Sequence, residues 1–459
     1  MEKTHFVDSK KNLIKTGIWL YFLLLVGEGV LRKWITPGLS TPLLIVRDPV
    51  LVGIYLLALS GGFLPLRGGL VALGALALGS FCMAAIAGTP PLVAMYGFRV
   101  NYFHVPLIFV MGAVMDRDDV LKIGRVVLWL TPPIAVLMLM QFRAPQGSWL
   151  NAGAGGELDS QLRGALGKVR PPGPFSFITG PVLWFSLATA FVVDGWLRAK
   201  AHPRWLVLAA TGAIVVAIPI SISRMLMFSV LVVMVFAGFT LASNPRRLLT
   251  LMLPLLLAGV VFLGLKRASL TDAFAVRWDE SGSTDIQASI VDRFFGDFLQ
   301  GFRAMAQAKP AGEGMGMGSN IAARYTTGDM GFLLAESEWP KVMLELGPFL
   351  GAAFILYRVW LGLAILVAGR RGLASGETLP WLLSGACFLP LVSGQWAPPT
   401  VLGFAVLGGG LVLAASNEPE GEEDGEDEED GDVAGDEKGE EEEDAVEEPP
   451  PRRMLGRRV

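Results

Sequence analysis

The sequence predicts an all-α fold, a polytopic membrane helix bundle of about 12 transmembrane helices with a large, partly helical extracytoplasmic loop. Three observations carry this. Mean hydropathy is +0.51, and 52% of the residues are hydrophobic while only 17% are charged. Apolar runs near twenty residues recur along the chain, the helical length that crosses ~30 Å of hydrocarbon. Lysine and arginine gather between alternate runs, and the runs lack the polar face of a soluble amphipathic helix.

The first run is Leu13–Leu31, entered from Lys3, Lys10, Lys11 and Lys15. With no small-residue cleavage site behind it, it reads as a first anchor and not a removed signal peptide. Further runs are Asp48–Leu66, Leu70–Ala87, Leu92–Met115 and Val126–Gln141. After a polar loop, Phe142–Pro174, come Phe175–Val193, Trp205–Ile222, Met225–Ala242 and Leu248–Leu265. The long polar stretch Lys266–Lys341 precedes Val342–Ala368, Leu379–Ser393 and Thr400–Ala415. With the N-terminus in the cytoplasm, the basic clusters after the even-numbered runs fall inside, and both long loops fall outside. Arg32–Lys33 is the exception, and Arg47–Asp48 weakens the second run. Residues 1–416 form the membrane domain.

From Glu418 to Glu448 there are 20 acidic residues and one lysine. The chain before this tail carries 33 basic and 22 acidic residues, about +11, which suits an anionic lipid surface or substrate as well as the positive-inside bias. The tail, residues 417–459, has too few large apolar residues to fold and is expected to be a disordered cytoplasmic segment; docking of cytoplasmic partners is the alternative. Two cysteines, Cys82 and Cys387, and three scattered histidines offer neither a disulfide framework nor a metal cluster. No metal or other cofactor is expected, and no nucleic-acid partner.

Charges within apolar runs need a reason, since each costs ~2.5–3.5 kcal/mol on insertion scales. Glu28 and Arg32 are four apart and can pair on one helix face. Arg99 and Arg224 lie at run ends, where snorkelling to the interface is the alternative to a binding role. His104 reads as a packed or hydrogen-bonded core histidine. In the large loop, Ile290, Phe294, Phe298 and Phe302 fall four apart beside Val291, Phe295 and Leu299, an amphipathic helix with an N-cap at Thr284–Asp285, lying against the membrane or the bundle. The alternating glycines Gly312, Gly314, Gly316 and Gly318 lack the Lys-Ser/Thr of a phosphate-binding loop and by themselves read as a flexible turn.

Four stretches, in order, resemble the bacterial O-antigen polymerase and O-antigen ligase-like superfamily. They are RPPGPFSFITGPVLWFSLATAF (Arg170–Phe191), SISRMLMFSVLVV (Ser221–Val233), DRFFGDFLQGFRAMAQAKPAGEGMGMGS (Asp292–Ser319) and AESEWPKVMLELGPFLG (Ala335–Gly351). Ligases of this kind carry a histidine before the return helix; here Glu336 and Glu338 stand in that neighbourhood, which tilts the resemblance toward a polymerase.

The resemblance implies glycosyl transfer at the outer face of the bacterial inner membrane, and the charge distribution over twelve runs puts both termini in the cytoplasm. The substrates would be undecaprenyl-pyrophosphate-linked glycans in contact with membrane lipids, and other polysaccharide-assembly proteins are further candidate partners. Arg224 would stabilise the pyrophosphate leaving group, aided by Arg99, Arg170, Arg293 and Arg303. Glu336 or Glu338 would be the general base, and Gly314, Gly316 and Gly318 would shape the loop backbone. A ligase acting on a lipid or protein acceptor, and a transporter or flippase of lipid-linked oligosaccharide, are the competing readings.

Overall fold

The computed structural model describes residues 2–65, 68–198, 201–242, 259–260, 263–264, 266, 270–279, 286–328 and 334–417, without the side chains of residues 2–6, 241–242, 286–295, 297, 320–321 and 327. The expected ninth span, the Thr284–Asp285 cap and the acidic tail lie outside the described residues, except for a few positions of that span.

The described residues are helical, and their only strand-like feature is an isolated bridge between Arg163 and Val169. The first four helices are α1 (Glu2–Val30), α2 (Asp48–Gly61), α3 (Gly68–Ile86) and α4 (Pro91–Phe98). Then follow α5 (Pro106–Val114), α6 (Arg117–Arg143), α7 (Thr179–Leu197), α8 (Arg204–Ile220) and α9 (Arg224–Ala242). The large loop holds α10 (Asp272–Asp279), α11 (Ile286–Gln307) and α12 (Asn320–Thr327), and the chain returns through α13 (Glu338–Ala374), α14 (Leu379–Val392) and α15 (Pro399–Ala415). Among the described residues, seven helical segments are long and apolar enough to cross a membrane, and α8, α9, α14 and α15 are shorter apolar helices beside them.

Two expected runs are not continuous helices. The fourth is α4 and α5 joined by a wide π-turn, Arg99–Phe103, because Pro106 supplies no N–H and clashes with the preceding turn. The return helix breaks at Gly347, whose φ of 79° and ψ of 171° leave the helical region one residue before Pro348.

Helices α7 and α15 are buried along almost their whole length and form the centre. Small residues make the packing close, as between membrane helices generally. A Cβ on Gly408 would lie 2.6 Å from Cys387 Cβ, and one on Gly409 would lie 3.3 Å from Ile108 Cδ1. Peripheral helices expose large apolar side chains, such as Leu78 on α3 and Leu356 on α13, both 68% exposed, where lipid is the natural solvent.

Ion pairs and hydrogen bonds tie the helices together at two faces. On one, Lys15 meets Asp119 at 2.6 Å, and Arg117 and Arg198 share Glu377 at 2.7 and 2.5 Å. On the other, Lys33 Nζ donates to the Gly173 and Phe175 carbonyls at 2.7 and 2.9 Å, and Arg47 donates to Pro399 O at 2.6 Å. The starts of α7, α9, α13 and α15 lie toward this second face, since each follows a connection opposite the first.

Candidate functional site

The break in α13 creates the site's scaffold. Beyond Gly347 and Pro348 the helical ladder has no donors for the carbonyls one turn earlier, and inside a membrane such groups need protein partners. The glycine-rich turn supplies them. Glu313 N donates to Leu344 O at 2.8 Å and Gly314 N to Glu345 O at 3.0 Å, while Gly318 N donates to the Glu345 carboxylate at 2.7 Å. Gly314 and Gly316 have φ of 109° and 88°, and the Gly316 N lies 2.5 Å from where a Cβ on Gly97 would sit. The turn is therefore a packed latch between α4 and the broken return helix. Read alone, the sequence makes it a flexible turn; its glycines are instead needed for backbone-to-backbone approach.

Beside this latch the head of α13 gathers four buried charges. Glu338, 1% exposed, accepts from Arg358 Nη1 at 2.7 Å and from Lys341 Nζ at 2.8 Å; Glu345 and Lys341 flank Gly318. Arg358 goes further, donating to Leu391 O at 3.0 Å and Gly394 O at 2.7 Å and lying 3.8 Å over the Trp396 ring. It thereby clamps the connection between α14 and α15. Both oxygens of Glu338 are taken by cations. Glu336, two residues earlier, is exposed, and its backbone carbonyl accepts from the Gln395 side chain.

The clamped connection closes one end of a cavity of about 650 Å³. Its walls come from α7 (Val182, Leu183, Ser186), α9 (Met225, Phe228) and α14 (Leu389, Pro390), with Ser337, Gln395 and Gln300 of α11 at the polar end. It is a mostly apolar groove with a short polar rim. Met225 is the neighbour of Arg224, and Ser337 lies between Glu336 and Glu338. The turn before Arg224 is unusual: buried Ile222 has φ 50°, rare for a β-branched residue, and packs where Gly164 of the first loop has no side chain. Ser221 Oγ accepts from Ser223 N at 3.2 Å in the same turn, and α9 starts with Arg224, half-buried and next in sequence to the groove residue Met225.

The other candidate residues distribute unevenly. Arg303 is exposed on α11, while the Arg293 side chain lies outside the described residues. Arg170 is half-buried in the first loop, its backbone N–H bonded to Leu162 O at 3.0 Å. Arg99 points into the bundle, 2.5 Å from Asp48 and 2.7 Å from Leu44 O. It belongs to a buried chain of polar groups. His104 lies 3.2 Å from Asp48 and 3.1 Å from Tyr21 OH, which accepts from Arg47 at 3.1 Å. Arg47 is 3.5 Å from Glu28, itself 3.3 Å from Arg32. The expected Glu28–Arg32 pair is thus present but shared with a third charge.

Sequence reasoning passed over Arg358 and the partnership of Arg47 with Glu28. The signal for Arg358 was present, a lone arginine within the apolar stretch ILYRVWLG, since an ionisable residue inside a span has a partner by default. Among the described residues no group of three or more His, Cys, Asp or Glu side chains could hold a metal ion. No known protein family, no curated protein and no solved structure matches this chain.

Proposed function

We propose that the protein is a polysaccharide polymerase that joins undecaprenyl-pyrophosphate-linked repeat units at the outer face of a bacterial inner membrane. The observation that carries the reading is the apolar groove with a polar rim, lined by Met225, next to Arg224 on α9, and by Ser337, between Glu336 and Glu338 at the head of α13. Such a groove suits a lipid-borne substrate whose reacting end must lie beside a cation and a carboxylate. The twelve-span arrangement, cytoplasmic termini and outward placement of Lys266–Lys341 belong to the same proposal.

In this reading the acceptor sugar hydroxyl attacks the anomeric carbon of the donor glycan, and its proton passes to a carboxylate. The bond from that carbon to the pyrophosphate breaks, and the electron pair leaves with the lipid pyrophosphate. Arg224 stabilises the charge that develops there. Exposed Glu336 takes the base role, because Glu338 already neutralises Arg358 and Lys341. Glu338 then orders the rim through Arg358 and Gly394. Arg303 supplies a further guanidinium near the rim, while Arg99, held by Asp48, supports the α1–α2–α4 packing.

The test is the glycan profile of a deletion strain. Loss of long chains with single repeats retained supports the polymerase. Lipid-linked polymer that accumulates without transfer would mean a ligase, and repeat units trapped on the inner leaflet would mean a flippase.

A further inference from the structure

Helix α11 meets the bundle through small residues and leaves large ones outside. Gly301 and Ala304 are buried, and a Cβ on Gly301 would lie 3.3 Å from Trp339 Cβ. On the adjacent flank Phe298, Leu299 and Phe302 are 42%, 56% and 55% exposed. Phe298 and Phe302 meet edge to face with centroids 4.8 Å apart, so the ridge is continuous. In the sequence, Ile290 and Phe294 extend the same four-residue spacing. Arg303 and Gln307, both exposed, occupy a different flank, and Gln300 reaches the groove.

A contiguous ridge of large apolar side chains on a helix with this many polar residues needs a cover. Its position says which. Phe298 packs on Trp339, 5.4 Å between centroids, in the first turn of α13. That helix continues as a membrane-crossing candidate, with Phe349 80% and Leu356 68% exposed along it. The head of a crossing helix lies at the edge of the hydrocarbon, where tryptophan is favoured. A helix bound side-on at that head sits at the level where amphipathic helices bury an apolar face among headgroups and acyl chains.

We propose that α11 is an interfacial helix whose Phe298–Leu299–Phe302 ridge inserts into the lipid leaflet beside the groove. Arg303 and Gln307 stay in water, and the helix fastens the groove's rim, at Gln300, to the leaflet. The placement holds whatever reaction the groove serves.

The experiment is nitroxide accessibility in the full-length chain, with Cys82→Ser and Cys387→Ala, in bilayers of phosphatidylethanolamine and phosphatidylglycerol. Labels are placed at Phe302→Cys, at Leu299→Cys in case the first variant fails to fold, and at Gln307→Cys as the water-facing reference. The expected result is a ratio of oxygen to water-soluble nickel accessibility several-fold higher at 302 or 299 than at 307. Equal ratios would place the ridge in water and overturn the proposal. An immobile label on the ridge, shielded from both reagents, would also overturn it, because protein such as a second copy would then be the cover.

Discussion

Glu338→Gln tests whether this carboxylate is a structural charge or a reactive one. Glu338 is 1% exposed and lies 2.7 and 2.8 Å from two cations. With Lys341, Glu345 and Arg358 it makes a four-charge group that sums to zero, and glutamine leaves a buried excess of one positive charge. Removing one partner of a buried pair costs ~3–5 kcal/mol. The lower end, ~3 kcal/mol, is expected here. Arg358 keeps its bonds to Leu391 O and Gly394 O, and chains unfolded in lipid find other partners. The assay is thermal unfolding of the purified protein in detergent, where Glu338→Gln should lower the midpoint by several degrees. Adding Lys341→Met restores charge balance while sparing Arg358, so the double variant should be more stable than the single. An unchanged midpoint for Glu338→Gln, or a double variant weakened by the sum of both single losses, would refute the charge-balance reasoning.

Under the proposed chemistry, Arg224→Ala and Glu336→Gln should insert and unfold like the parent protein yet abolish long-chain product; long chains made by both variants would remove these residues from the reaction. Gly316→Ala should lose at least ~1–3 kcal/mol from the left-handed backbone alone, since φ is 88° and its Cβ would lie 2.9 Å from Gly97 N, and yield of folded protein should fall. Gly74→Ala, where nothing lies within 4 Å, should be neutral or slightly stabilising by the same unfolding assay. His202, buried between α7 and α8, has its pKa pushed down to about 4 by burial and then by Arg125. Between pH ~6.5, the ordinary histidine value, and about 4, the unfolded chain binds a proton that the folded chain does not. Stability should therefore rise with pH across that window, and His202→Phe should flatten the rise in a series of midpoints measured against pH.

Much of the fold was legible in the sequence because hydropathy is a local property. A run such as Phe175–Val193 declares itself apolar whatever surrounds it, and the burial of α7 along nearly its whole length needs only neighbours. The spacing of Phe298 and Phe302 likewise announced a helix before any packing was known, whereas the alternating glycines read only as a flexible turn until α4 and the broken return helix were seen to pack against them. Pairings across the chain were not legible. Arg47 reaches Pro399 O, 352 residues away, and Gly316 fits against Gly97 because α4 happens to pass there. Nor could spacing tell Glu336 from Glu338. They are two residues apart in one polar stretch, and only the arrival of Arg358 one helix-length later makes one a buried counter-ion and leaves the other exposed at the groove's rim. Composition and periodicity determined which segments are helices and which are apolar. Tertiary structure decided which charges meet, because in a medium of low dielectric constant each buried charge takes its role from its nearest partners in space.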